Sequence, residues 1–173
     1  MRSKKAKKLA AIIGFAIVIF IIIINCYKEK SAITIFIIDE ELPYYTEIKD
    51  NKNEEVSWEK YIQNTEKILY LKLGSEIKFD ISNKDIKELI IQDAIVNDDG
   101  TMKYQKSANQ VLDYELDEDN MYKFYLPANL AVGFDSESIY EEGKCLRGID
   151  ISYKYNNRYY HCLFAIKTDL FYN

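Results

Sequence analysis

Along most of the chain, apolar and polar positions alternate with a period of two. Ile77, Phe79 and Ile81 alternate with Glu76, Lys78 and Asp80, and Ile149, Ile151, Tyr153 and Tyr155 alternate with Asp150, Ser152 and Lys154. This period puts successive side chains on opposite faces of a strand, one face dry and one wet. Less regular apolar runs predict further strands at Ser31–Ile38, Ile68–Leu73, Thr101–Gln105, Val111–Leu116 and Met121–Leu126. Ile86–Asn97 reads either as one long strand with a bulge at Gln92-Asp93 or as two short pieces. Turn signals separate the runs. Asn97-Asp98-Asp99-Gly100 and Asn156-Asn157 are the strongest, since Gly and Asn accept positive φ.

The Asn156-Asn157 turn fixes the register of the last hairpin and sets Cys162 opposite Ile151. Tyr160, Cys162, Phe164 and Ile166 then form the buried face of the return strand. Its other face (Tyr159, His161, Leu163, Ala165) is also mostly apolar, which predicts a central strand covered on both sides. Residues 128–143 lack clean periodicity and read as a crossover between sheets, with Leu130, Val132 and Phe134 dipping into the core. Val56, Trp58, Tyr61, Ile62 and Thr65 approximate helical spacing, so a short helix is expected near 54–65, with Asn53 as cap and Trp58 and Tyr61 packed inward. Seven to nine strands at a spacing of about 8–12 residues predict an all-β chain, an antiparallel β-sandwich of immunoglobulin-like type.

One run breaks the alternation. Leu9 to Ile24 is sixteen residues without a charge, preceded by Arg2, Lys4, Lys5, Lys7 and Lys8. As a helix it rises about 24 Å, and about 28 Å with Asn25, Cys26 and Tyr27, against a hydrocarbon thickness of ~30 Å. The expected organisation is a basic cytoplasmic tail (1–8), a transmembrane signal anchor (9–27), a membrane-proximal strand, loop and short helix (28–66), and the β-sandwich (67–173). Lysines before the run predict a single pass in the cell membrane, with the N-terminus inside and the C-terminal domain outside the cytoplasm. Two alternatives stand beside the uncleaved anchor. Ile23-Ile24-Asn25-Cys26 resembles a lipobox and makes Cys26 a candidate lipidation site, although Asn25 stands where a small residue is expected. An ordinary cleaved signal or a buried core helix is the other, though a core helix would not explain the flanking lysines.

Charge sharpens this picture. The first 27 residues hold five of the 23 bases and none of the 28 acids, leaving 18 bases against 28 acids and a net charge of −10 for the remainder. So acidic a domain argues against nucleic acid, whose phosphates need a clustered positive surface.

Candidate chemistry is sparse. Cys145 and Cys162 read as free thiols: Cys145 lies six positions beyond the partner of Cys162, about 20 Å at ~3.3 Å per residue, and a disulfide needs Cα atoms within ~7 Å. The one histidine, His161, cannot build a multi-histidine zinc site and reads as structural. Asp98-Asp99-Gly100 and Asp117-Glu118-Asp119-Asn120 are acid-rich turns without the twelve-residue calcium pattern. No catalytic residue, metal site or cofactor is expected. Tyr153, Tyr155, Tyr159 and Tyr160 crowd the last turn and form a candidate binding patch, because tyrosine rings supply amphipathic contact area.

With its basic start, Ile-rich anchor and small acidic β-domain carrying Leu146-Arg147-Gly148-Ile149-Asp150-Ile151-Ser152-Tyr153, the chain resembles small uncharacterised, membrane-anchored, extracytoplasmic immunoglobulin-like proteins of Gram-positive bacteria. The resemblance implies location and fold and brings no catalytic motif. The expected function is a binding or accessory module for another cell-envelope component, such as an envelope protein partner. The alternatives are a lipoprotein ligand binder processed at Cys26 and a small extracytoplasmic hydrolase using His161 or an acidic pair.

Overall fold

The computed structural model describes residues 33–37, 40–52, 54–82, 85–134 and 143–170. The anchor, Cys26 and Asn53 lie outside the described residues. Among the described residues no helix is long and apolar enough to cross a membrane. Eleven strands of the described residues form two sheets. One has the order β2 (Glu40–Leu42), β1 (Ile33–Ile37), β5 (Glu76–Ile81), β9 (Tyr122–Tyr125), β8 (Glu115–Leu116). The other has the order β3 (Tyr45–Lys49), β11 (Arg158–Thr168), β10 (Cys145–Tyr155), β6 (Lys87–Ile95), β7 (Gln110–Leu112), with β4 (Leu69–Tyr70) pairing in parallel with β11. All other pairings are antiparallel, so the fold is mostly β and sandwich-like.

Alternation builds the core. Ile33, Ile35 and Ile37 of β1, Ile77, Phe79 and Ile81 of β5, and Phe124 of β9 are buried on one side of their sheet. Ile149, Ile151 and Tyr153 of β10, with Tyr160, Cys162, Phe164 and Ile166 of β11, are buried on one side of theirs, and all of these join a single cluster. A smaller cluster of Ile95, Ala131, Val132, Cys145 and Leu170 closes one end. β10 and β11 pair over their whole length, with Ile151 opposite Cys162 as the turn predicts, and Asn156 and Asn157 both adopt positive φ. β11 is central, flanked by β10 on one side and by β3 and β4 on the other, and 160–166 are all buried.

Several expectations need correcting. The unit of the fold runs from Ile33 to Asn173, so β1–β3 are woven into the sandwich rather than set apart from a domain beginning at 67. Val111–Leu116 is not one strand. β7 belongs to the six-stranded sheet and β8 to the other, because the chain changes sheets at Asp113-Tyr114. Thr101–Gln105 contributes only the bridge between Met102 and Val96, as Lys106–Ala108 turns into a 3₁₀ helix instead. The irregularity of β6 falls at Glu88, which has φ +53, and not at Gln92-Asp93. The 3₁₀ helix Leu130–Phe134 turns Ala131 and Val132 inward and leaves Leu130 80% exposed.

The expected helix is α1 (Glu59–Asn64), the one α-helix among the described residues, shorter than foreseen and preceded by Trp58. Trp58 and Tyr61 are buried as anticipated, but over the outer face of the six-stranded sheet, where the Trp58 indole donates to Ile149 O at 3.0 Å. Two glycines make room for this lid. A Cβ on Gly148 would lie 2.6 Å from the Trp58 ring, and one on Gly100 would lie 2.4 Å from Glu59 N.

Candidate functional site

The outer face of β10 and β11 has two halves. Around Gly148 the lid of Trp58 and Tyr61 covers it. Beyond the lid the same face carries Asp150 and Ser152 of β10 and His161 and Tyr159 of β11, with Gln92 and Ile90 of β6 alongside. Register puts Ser152 opposite His161, and His161 opposite Glu47 on its other flank. His161 Nδ1 lies 2.9 Å from Asp150 Oδ2. Both residues are buried, 4% and 1% exposed. Asp150 Oδ1 and His161 Nε2 are buried and make no hydrogen bond. Burial pushes the Asp150 carboxyl above the ordinary aspartate range, and the His161 bond works against that rise.

Beside the pair is a cavity of about 130 Å³ lined by Lys52, Glu88, Ile90, Gln92, Lys106, Ser152, Tyr159 and His161. Glu88, in its positive-φ conformation, accepts from Tyr159 Oη at 3.2 Å and Lys154 Nζ at 3.4 Å. Lys49 Nζ lies 3.0 Å from Glu47 Oε2. Ser152 Oγ donates to Ile90 O at 3.2 Å, so its hydroxyl proton goes to the backbone and not to the imidazole.

A second buried charge pair stands on the inner face of β10. Arg147 Nε donates to Asp93 Oδ1 at 3.0 Å and Nη2 to Asp93 Oδ2, while Nη1 donates to Pro127 O at 2.7 Å. Asn129 Nδ2 completes the carboxylate at 2.7 Å, and its own Oδ1 accepts from Ala131 N. This network ties the start of the crossover to both central strands.

The four tyrosines of the last turn do not share one surface. Tyr153 and Tyr160 are buried on the inner face, rings stacked at 5.5 Å, with Tyr155 tilted against Tyr160. Tyr159 faces the other way, into the cavity wall. Alternation is the reason, since neighbours in a strand point to opposite faces. Cys145 and Cys162 are buried and form no disulfide, and Cys145 pairs with Thr168 across the hairpin. The acid-rich turns spend their carboxylates on their own backbones. Asp99 accepts from the Thr101 hydroxyl and amide, and Asp117 from the Asp119 and Met121 amides, which holds both below the ordinary range. No group of three metal-ligating residues occurs among the described residues.

Asp150 and Arg147 escaped notice in the sequence although a signal was there. Arg147 shares parity with Ile149 and Ile151, so a charge stood on the dry face. Asp150 and His161 fall on a strand pair whose outer face reads as covered. Both placements demand a buried partner. Comparison with protein-family profiles, with curated proteins and with solved structures finds no match.

Proposed function

We propose that the protein is a single-pass membrane protein whose immunoglobulin-like sandwich stands outside the cytoplasm and binds another component of the cell envelope, without catalysis. The basic start and apolar run of the first 27 residues support the location. The binding role rests on one observation: the Asp150–His161 pair is held on the two longest strands beside a cavity, yet retains two buried polar atoms that no protein group satisfies. Buried polar atoms are normally bonded, and a pair left over beside a cavity calls for a ligand, water or ion that completes it. Glu88 adds to this, since non-glycine residues at positive φ concentrate at functional sites.

Photo-crosslinking in whole cells tests the reading. A crosslinkable residue at Lys52 or Tyr159 is expected to capture an envelope component, and one at Tyr125, exposed on the other sheet, is not. Capture from Tyr125 alone, or from neither face, overturns it. The mass of the mature N-terminus distinguishes an uncleaved anchor from lipidation at Cys26.

A hydrolytic reading draws on the same pair, with Asp150 orienting His161 as a base. It is the weaker, because Ser152 is bonded to Ile90 O and no other hydroxyl or thiol is placed against the imidazole among the described contacts. An unchanged phenotype in His161→Ala would dismiss it.

A further inference from the structure

We infer that the cavity beside His161 is a saccharide site, which takes one neutral sugar residue of an envelope glycan. This rests on the binding role proposed above and specifies its chemistry. The charges around the cavity answer one another. Lys154 bonds Glu88, Lys52 also acts on Glu88, and Lys106 acts on Asp150, which stands outside the cavity wall. Ions matched in this way offer little net field to a charged ligand. What is left to be matched is uncharged. His161 Nε2 is buried without a hydrogen bond, and the residue lines the cavity. Its Nδ1 is engaged by Asp150, and which of the two holds the shared proton makes Nε2 an acceptor or a donor. A hydroxyl both donates and accepts, so it completes Nε2 in either tautomer. A carboxylate only accepts, and an ammonium only donates.

The rest of the wall has the same mixed character. Gln92 brings an amide that donates and accepts. The Ser152 hydroxyl donates to Ile90 O and the Tyr159 hydroxyl to Glu88, so both oxygens keep lone pairs for an incoming donor. Ile90 and Tyr159 add carbon surface. A sugar ring carries the matching features on one small body, with hydroxyls around its rim and C–H groups on its faces. Pockets for drug-sized ligands run to about 300–1,000 Å³. This cavity, of about 130 Å³, is sized for a single ring, and the remainder of a glycan lies outside it.

His161 is the one histidine of the chain, so its ring gives a single set of NMR signals in the full-length protein, held in micelles whose head groups carry no sugar. Histidine-labelled protein is titrated in turn with methyl β-glucoside, N-acetylglucosamine and sodium acetate, at fixed pH and ionic strength. At least one of the two sugars is expected to move the His161 ring signals saturably, and acetate is not. Gln92→Ala is expected to weaken that binding about tenfold, the loss of one hydrogen-bonding group. Tyr125→Ala, a change on the exposed face of the other sheet, leaves it unaltered. No saturable shift with either sugar, a shift indifferent to Gln92→Ala, or an equal response to acetate would overturn the inference. Whole-cell capture from Lys52 and Tyr159 would survive that failure, so loss of the saccharide site and loss of the binding role are told apart.

Discussion

Two buried pairs of ionisable side chains stand three residues apart on β10, and they are built to opposite standards. Arg147 and Asp93 face the inside of the sandwich. There the guanidinium donates from all three nitrogens, and both carboxylate oxygens are engaged by Arg147 and Asn129. Asp150 and His161 face outward. They share one bond and leave one polar atom each without a partner. Similar desolvation costs apply to both. The first pair offsets its cost through geometry and through the backbone it fastens, so it belongs to the fold. The second leaves part of its cost outstanding beside a cavity, which a fold alone gives no reason to keep.

The contrast is broken most severely at Arg147. Arg147→Ala strands Asp93 and releases Pro127 O, and a loss of about 3–5 kcal/mol is expected from removing one member of a buried pair. Urea unfolding followed by the fluorescence of Trp58, the one tryptophan, measures it. A loss under 1 kcal/mol would mean that the network is not structural.

Paired apolar replacement sharpens the comparison. Asp150→Leu with His161→Leu removes both unsatisfied atoms and is expected to change stability little or to raise it by about 1–2 kcal/mol. Asp93→Leu with Arg147→Met leaves Pro127 O without the Arg147 donor and Asn129 Nδ2 with only the long bond to Asp93 O at 3.4 Å, and is expected to cost about 2 kcal/mol or more. Equal outcomes in the two double variants would erase the distinction drawn here.

The boundary between the covered and open halves of the outer face is probed at Gly148. Gly148→Ala drives a methyl into the Trp58 ring and is expected to cost about 1–3 kcal/mol, with a change in Trp58 emission as the lid is displaced. An unaltered spectrum would place the lid elsewhere.

The smallest effect is the pH dependence of the outward pair. Burial raises the Asp150 carboxyl above its unfolded value. The folded chain therefore holds this proton to higher pH than the unfolded chain does. The stability associated with it is intact below the ordinary aspartate range and is lost as pH rises through the elevated value. The native protein should lose stability relative to Asp150→Asn over that rise, and parallel curves would contradict it.

Much of the architecture was legible because it is local. Alternation at Glu76–Ile81 and Ile149–Tyr155 sets which side chains share a face, and Asn156-Asn157 sets the register that puts Ile151 opposite Cys162. β2 and β3 were not legible, since three to five residues carry too little pattern and such edge strands are held by their neighbours, while β4 falls within the expected Ile68–Leu73 strand. Val111–Leu116 misled for a related reason. Its alternation is real, but nothing in six residues says that the chain leaves one sheet and enters the other between them.

The candidate site divides along the same line. That Asp150, Ser152 and His161 share a face follows from hairpin register alone. That the face is closed on one side by Trp58 and flanked by Lys52 and Lys106 depends on segments brought from far along the chain. The sequence by itself determined strands, the last hairpin, an acidic domain and a basic, apolar beginning, because periodicity and charge act between near neighbours. Only the tertiary structure decided which buried charge found a complete set of partners. Partners for Arg147 come from β6 and from Pro127 at the start of the crossover, that for His161 from β10 alone, and which of these distant segments meet is set by how the sheets pack.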